Sequence, residues 1–181
     1  MNRNVTFIPG QGPVLDPLRS VGEVNADDPG QISTRLEPVA KALTLCRSQL
    51  SDDKALIGFA GAPWTVMTYM LEGQSSRDFA TARKWMWDNG KQFDALLDIV
   101  TAATIEFLTL QAQAGADVLM LFDSWAGAVP AHFRRRVVIE PARRIIESLR
   151  DRGIDQPVIG FPKGIGEGLL AYCDQTPVDG V

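Results

Sequence analysis

The chain reads as an α/β fold. Short apolar runs alternate with longer stretches of helical period, and each run closes in a turn rich in Gly and Pro. The second run, Ala55-Leu56-Ile57-Gly58-Phe59-Ala60, also lacks polar alternation, the mark of a parallel strand covered on both faces.

The first strand is Val5-Thr6-Phe7-Ile8, closed by Pro9-Gly10 and a loop at Gln11-Gly12-Pro13. A helix is predicted over 34–49, with Leu36, Val39, Ala40, Leu43 and Cys46 on one stripe, Ser33 as its cap and Pro38 tolerated near its start. After the second run, Gly61-Ala62-Pro63 turns the chain into a helix that can begin at the proline. Stepping about 100° per residue from Trp64 puts Met67 near 300° and Leu71 near 340°, with Thr65 near 100° and Tyr69 near 140°, so Tyr69 points away from the apolar stripe. A short helix follows near 78–87, and a long one over 91–114 ends at Gly115. The third strand, Val118 to Phe122, runs into Asp123-Ser124-Trp125-Ala126-Gly127. Beyond Pro130 a helical stretch is broken at Pro141 and resumes through Ile145, Ile146 and Leu149 to Gly153. A fourth strand, Pro157 to Phe161, leads through Pro162-Lys163-Gly164 to a helix near 165–173, and another strand begins at Val178-Asp179-Gly180-Val181. No repeat, low-complexity segment or linker divides residues 1–181, which read as a piece of one domain.

Composition narrows the function classes. A chain of 181 residues, 45% hydrophobic and 22% charged, excludes disorder, coiled coil and collagen. No run approaches the roughly 18 apolar residues of a membrane span, and Met1 to Gly10 holds no signal-like hydrophobic stretch, so a cytoplasmic protein with no membrane partner is expected. A net charge of −4 argues against nucleic acid as a partner. The densest basic cluster, Arg134-Arg135-Arg136 with Arg143 and Arg144, is either a solvated helix face or a rim that attracts a polyanion. Cys46 and Cys173 lie far apart and share the chain with a single histidine, His132, which leaves no disulfide framework and no zinc site; both are read as buried small hydrophobes.

In parallel βα architecture ligands bind beyond the carboxyl ends of the strands, which directs attention to the residues after Ile8, Ala60, Phe122 and Phe161. Gly10-Gln11-Gly12-Pro13 is an ordinary turn or a set of amides facing an anion. P-loop, Gly-x-Ser-x-Gly, zincin and complete dinucleotide fingerprints are all missing, so those chemistries have no residues to stand on.

Residues Leu56 to Gly73 (LIGFAGAPWTVMTYMLEG) are very similar to the signature of the uroporphyrinogen decarboxylases. Phe7 to Val14 (FIPGQGPV), Gly115 to Gly127 (GADVLMLFDSWAG) and Gly160 to Gly164 (GFPKG) resemble further landmarks of that family in the same order, so the likeness covers essentially the whole chain. The resemblance implies a (β/α)8 TIM barrel, of which this chain holds about half the strands; a complete one takes about 250 residues. It also implies a homodimer at full length, and removal of carbon dioxide from the four acetate side chains of uroporphyrinogen to give coproporphyrinogen, in haem biosynthesis, without metal or organic cofactor. Protonation of a pyrrole supplies the electron sink, leaving the protein to hold a polycarboxylate macrocycle and stabilise the cationic ring.

Two positions carry over as substrate-binding. Tyr69 matches the family's tyrosine beside a reacting acetate, and Ser124 its hydroxyl residue that binds a substrate carboxylate from a strand end. Phe59 and Phe122 match apolar positions lining the cleft. Without the resemblance, Tyr69 is an amphipathic-helix residue meeting water, Ser124 a turn or N-cap hydroxyl, and the two phenylalanines are core. No catalytic residue is assigned. The family's arginine-bearing N-terminal segment, its pyrrole-facing aspartate and its C-terminal histidine have no counterpart; Asp16, Asp123 and His132 do not match them, and Trp125 stands where histidine is acceptable. Two other readings stay open: a related corrinoid- or cobalamin-type methyltransferase barrel, and a non-catalytic tetrapyrrole-binding module. Expressed alone, the chain is expected to be inactive and to associate through open sheet edges.

Overall fold

A computed structural model describes residues 5–9, 12–24, 29–74 and 76–181. It opens with an antiparallel hairpin, β1 (Val5–Ile8) and β2 (Gly12–Leu15), in which Val5 lies opposite Leu15 and Ile8 opposite Gly12. Gly12 and Pro13, expected in a loop, therefore belong to a strand, and a two-stranded ribbon tolerates the missing N–H of Pro13 on its edge. Gly10 and Gln11, on which the anion reading depends, lie outside the described residues. The hairpin is anchored by Leu15 N–H, which donates to the Gly73 carbonyl (2.7 Å), and by Leu18 N–H, which donates to that of Met70 (2.8 Å). Gly73 has φ 76°, and a Cβ there would stand 2.6 Å from the Leu15 carbonyl oxygen, so both conformation and space require glycine.

The single helix predicted over 34–49 is two: α1 (Pro29–Arg35) and α2 (Glu37–Gln49). Pro38 has no N–H for the carbonyl four residues back, and the chain resets at Leu36 (φ −97°, ψ 5°). Ser33 lies inside α1 and caps nothing. The stripe is only half-buried at Leu36, Val39, Ala40 and Leu43, and both Cys46 and Cys173 are exposed, contrary to expectation.

Three parallel strands follow in the order β3 (Ile57–Gly61), β4 (Val118–Asp123), β5 (Val158–Pro162). Between β3 and β4 run α3 (Pro63–Glu72), α4 (Ala80–Asp88) and α5 (Gly90–Gln113). Between β4 and β5 lie two 3-10 turns, Ala126–Ala128 and Ala131–Phe133, a π-helical turn, Arg135–Ile139, and α6 (Glu140–Asp151). Pro141 does not break the helix: the π turn absorbs one extra residue just before it, and the proline sits in the first turn of α6, where its missing N–H is harmless. The last helix, α7 (Gly168–Gln175), starts three residues later than position 165, after two left-handed glycines at 164 and 166. Beyond it, Asp179 N–H donates to the Val158 carbonyl (2.9 Å) and Gly160 N–H to that of Gly180 (2.9 Å), so the strand expected at the chain's end is begun as a parallel bridge.

One face of the sheet is core. Gly58, Ala60, Leu119, Leu121, Val158 and Gly160 are buried on the helix side together with Trp64, Met67, Phe93, Leu108, Ile145 and Leu149. Each large side chain so buried contributes about 1.5–3 kcal/mol before entropy is counted. The opposite face is bare, correcting the expectation that β3 is covered on both sides: Ile57, Phe59 and Phe161 are exposed, Phe59 to 59%. Across it Phe59 and Phe122 pack edge to face at 5.8 Å and Phe122 and Phe161 at 5.7 Å, forming one aromatic row over three strands. Such a face associates in water. Sedimentation of residues 1–181 alone is expected to show self-association, and a monomer with one sharp, cooperative thermal transition would overturn that expectation.

Among the described residues no strand pairs with the other edge of β3. Gln111 of α5, itself buried, fills part of that role: its side-chain Nε2 donates to the Phe59 carbonyl (2.8 Å) and its Oε1 accepts from the Phe59 N–H (2.8 Å). One amide thus reproduces the hydrogen-bond pair that a neighbouring strand would offer.

Candidate functional site

Strand alternation sorts the residues at the carboxyl ends of β4 and β5. Phe122 and Phe161 face the bare side; Asp123 and Pro162, paired in register, turn into the buried side. Ser124 and Lys163 come next, Ser124 half-buried and Lys163 exposed.

Asp123, to which the sequence reading assigned no role, is the centre of a buried network at the strand ends. It is 3% exposed, and the Thr65 hydroxyl donates to its Oδ1 at 2.7 Å. Thr65 lies in the first turn of α3, whose N-cap, Ala62, has no side-chain oxygen to offer. The Asp123 carboxyl, reaching across from β4 toward the Thr65 hydroxyl and N–H, supplies a cap from another element. This is why Thr65, on the polar side of the helical wheel, is buried. Burial pushes the carboxyl up to about 7, with the Thr65 hydrogen bonds pulling weakly the other way. The same burial pushes the Tyr172 phenol up, with the Asp123 charge adding to it. The overlooked signal was the pairing of a capless Pro-initiated helix with an aspartate at the outward-facing end of the next strand.

Around this carboxyl the loop after β4 is tied to α3. The Trp64 indole N–H donates to the Trp125 carbonyl (2.8 Å), the Trp125 N–H donates to Thr65 Oγ1 (3.3 Å), and the Thr68 hydroxyl donates to the Thr65 carbonyl (2.7 Å). The Trp125 ring lies against Phe79 at 5.1 Å, and its own Nε1 is buried with no acceptor among the described residues. Trp125 is therefore a packing residue of this loop where histidine was acceptable.

The four residues singled out from the sequence separate into two places. Phe59 and Phe122 share the bare aromatic face. Ser124 follows Asp123, and Tyr69, half-buried, stands one helical turn beyond Thr65 in α3, away from buried Trp64, Met67 and Leu71. The segments carrying Tyr69 and Ser124 are tied together by the Thr65–Asp123 hydrogen bond and by the Trp125 N–H on Thr65 Oγ1. Hollows elsewhere include one of about 530 Å³ between α2 and the end of α5, and a smaller one of about 290 Å³ bounded by Ile32, Ala60, Val66 and Phe107. Neither includes Tyr69, Ser124, Phe59 or Phe122.

The arginine cluster is largely neutralised: Arg135 and Arg143 pair with Glu140, Arg136 with Asp94 and Arg144 with Asp98. That leaves the solvated-face reading and removes most of the polyanion rim. His132 stacks with Trp87 and Phe133. Among the described residues no three His, Cys, Asp or Glu side chains gather as a metal site, and no helix is long and apolar enough to cross a membrane.

Known proteins agree with the sequence reading. The uroporphyrinogen decarboxylase of Rhodospirillum rubrum is 46% identical over 181 residues, covering 100% of this chain and 52% of the relative. That of Caulobacter vibrioides is 46% identical with 100% and 51% covered, and that of Gluconobacter oxydans 44% identical with 99% and 51% covered. The chain thus spans about half the length of these relatives. Among solved structures, a methyltransferase from Methanosarcina mazei superposes with a TM-score of 0.69 at 17% identity, over 88% of this chain and 46% of that one, a likeness of fold alone. The family model for uroporphyrinogen decarboxylase matches residues 1–181, and the chain belongs to that family.

Proposed function

We propose that the protein containing this chain decarboxylates the four acetate side chains of uroporphyrinogen to give coproporphyrinogen in haem biosynthesis, with no metal or organic cofactor, as a cytoplasmic homodimer. Residues 1–181 supply about half the strands of its single (β/α)8 barrel domain. The observation that carries this reading is the aromatic row Phe59–Phe122–Phe161, bordered at the strand ends by hydroxyl and cationic side chains. The apolar pyrrole core of the macrocycle can lie against such a surface while its carboxylates meet polar groups at the margin. Tyr69 donates a hydrogen bond to a carboxylate near the reacting centre, and Ser124 donates to another from the end of β4. When a pyrrole carbon is protonated, the bond to the acetate carboxyl breaks, its electron pair moves into the cationic ring and carbon dioxide leaves. The exocyclic methylene left behind then takes a proton to become the methyl group, and the ring carbon gives back the proton it received. Residues that fix the carboxylate's direction hold the breaking bond in line with the ring's π system.

The test is turnover by a protein of the relatives' length that contains residues 1–181; a chimera with the remaining part of the Rhodospirillum rubrum relative serves. Conversion of uroporphyrinogen to coproporphyrinogen is expected, with kcat/KM lowered about 10- to 100-fold by Tyr69→Phe, as for loss of one hydrogen bond to a charged group. No turnover from a folded full-length protein overturns the function, whereas unchanged kinetics in Tyr69→Phe removes that residue from the site.

A further inference from the structure

Lys163 has a rigid seat and a free charge. Its N–H donates to the Asp123 carbonyl (3.1 Å), and its own carbonyl accepts from the Gly127 N–H (3.0 Å), so the backbone is clamped to the loop after β4 on both sides. The clamp depends on Gly127: a Cβ there would stand 2.6 Å from the Gly164 carbonyl oxygen. The side chain is exposed and has no ion-pair partner among the described residues, in contrast to the paired arginines around α6.

The Lys163 N–H on the Asp123 carbonyl brings the Lys163 backbone next to that of Ser124. Asp123 and Pro162 are the last paired rung of β4 and β5 and point into the helix layer. Ser124 and Lys163 come directly after that rung, where the chain leaves the two strands, and adjacent strands stand about 4.8 Å apart. A hydroxyl and an ammonium carried on such neighbouring backbones can together take the two oxygens of one carboxylate, the ammonium supplying the charge that the serine lacks.

We propose that Lys163 is a substrate-binding residue that, with Ser124, holds one peripheral carboxylate of the substrate at the end of the aromatic row. The assignment rests on the polycarboxylate substrate proposed above and adds a residue to that site. Asp123, on the opposite side of the sheet with its carboxyl turned to Thr65, does not compete for the ammonium.

The experiment uses the full-length protein or the chimera and compares Lys163→Met, Lys163→Arg, Ser124→Ala and the double variant Lys163→Met/Ser124→Ala. Lys163→Met is expected to raise KM for uroporphyrinogen about 10- to 100-fold, as for a lost charge-assisted hydrogen bond, with a smaller change in kcat. Lys163→Arg is expected to recover most of that loss. The rise of KM with salt should be shallower in Lys163→Met than in the parent, an effect that a purely structural role does not produce. The double variant should lose less than the product of the two single losses, because both residues hold the same carboxylate. Unchanged KM and salt dependence in a folded, active Lys163→Met protein overturns the proposal, and strictly multiplicative losses overturn the shared carboxylate. A parent with no turnover fails the functional reading itself, a result distinguishable from either of these.

Discussion

Above pH 7 the full-length Asp123→Asn protein is expected to be more stable than its parent by about 4 kcal/mol, and this advantage is expected to vanish as the pH falls toward 4. The carboxyl titrates near 3.8 when unfolded and near 7 when buried against Thr65. Between those values the native state keeps a proton that the unfolded state has released, so stability drops as pH rises, by about 1.4 kcal/mol per unit over about three units. Asparagine removes the charge and keeps an oxygen to accept from the Thr65 hydroxyl, so its stability is flat across the window. Asp123→Leu is also neutral but strands that hydroxyl, and should fall about 1–2 kcal/mol below the asparagine variant. Denaturant midpoints of the three proteins from pH 4 to pH 8 make the comparison; a parent midpoint that does not fall between pH 4 and pH 7 would sink it.

Trp64→Ala is expected to lose about 3–5 kcal/mol, a large part of the 5–15 kcal/mol that holds an ordinary domain together, and to give little folded protein. Trp64 is fully buried, packs against Phe93 at 6.3 Å and donates its indole N–H to the Trp125 carbonyl. Truncation therefore opens a cavity and also releases the loop that carries Ser124. Trp64→Phe keeps an aromatic ring in the layer, with a smaller cavity, while losing the N–H. It is expected to lose less than Trp64→Ala by keeping that ring, with about 1–2 kcal/mol of its own loss coming from the hydrogen bond. Equal midpoints for parent and Trp64→Ala would show that the ring does not anchor the helix layer.

The parallel strands and the helices between them were legible because their signals are local: apolar runs, a proline at the start of α3, glycine beyond the end of α5. Tyr69 and Ser124 came forward only as single positions within long family motifs. Less visible was what depends on contact between distant segments. The break at Leu36 turns on one missing N–H at Pro38, and the continuity through Pro141 on a π turn that periodicity cannot register. Asp123 looked like part of a motif because its partner, Thr65, is 58 positions away, and burial on the helix side follows only once β4 has a register. Lys163 entered only as part of the Gly160–Gly164 motif for the same reason: the bond from its N–H to the Asp123 carbonyl exists only once β4 and β5 are paired.

The Gln111 amide on the outer edge of β3 makes any strand addition there a displacement reaction. An incoming backbone that seeks the Phe59 N–H and carbonyl finds both already engaged, so the exchange trades two hydrogen bonds for two and is close to neutral in energy. A chance β-segment therefore gains little from the middle of this edge, as with other devices that blunt exposed strands. Net attraction must come from side chains that also shield Phe59 and its aromatic neighbours. The amide thus acts as a selectivity filter for self-assembly, admitting a strand by what it covers rather than by the hydrogen bonds it can form.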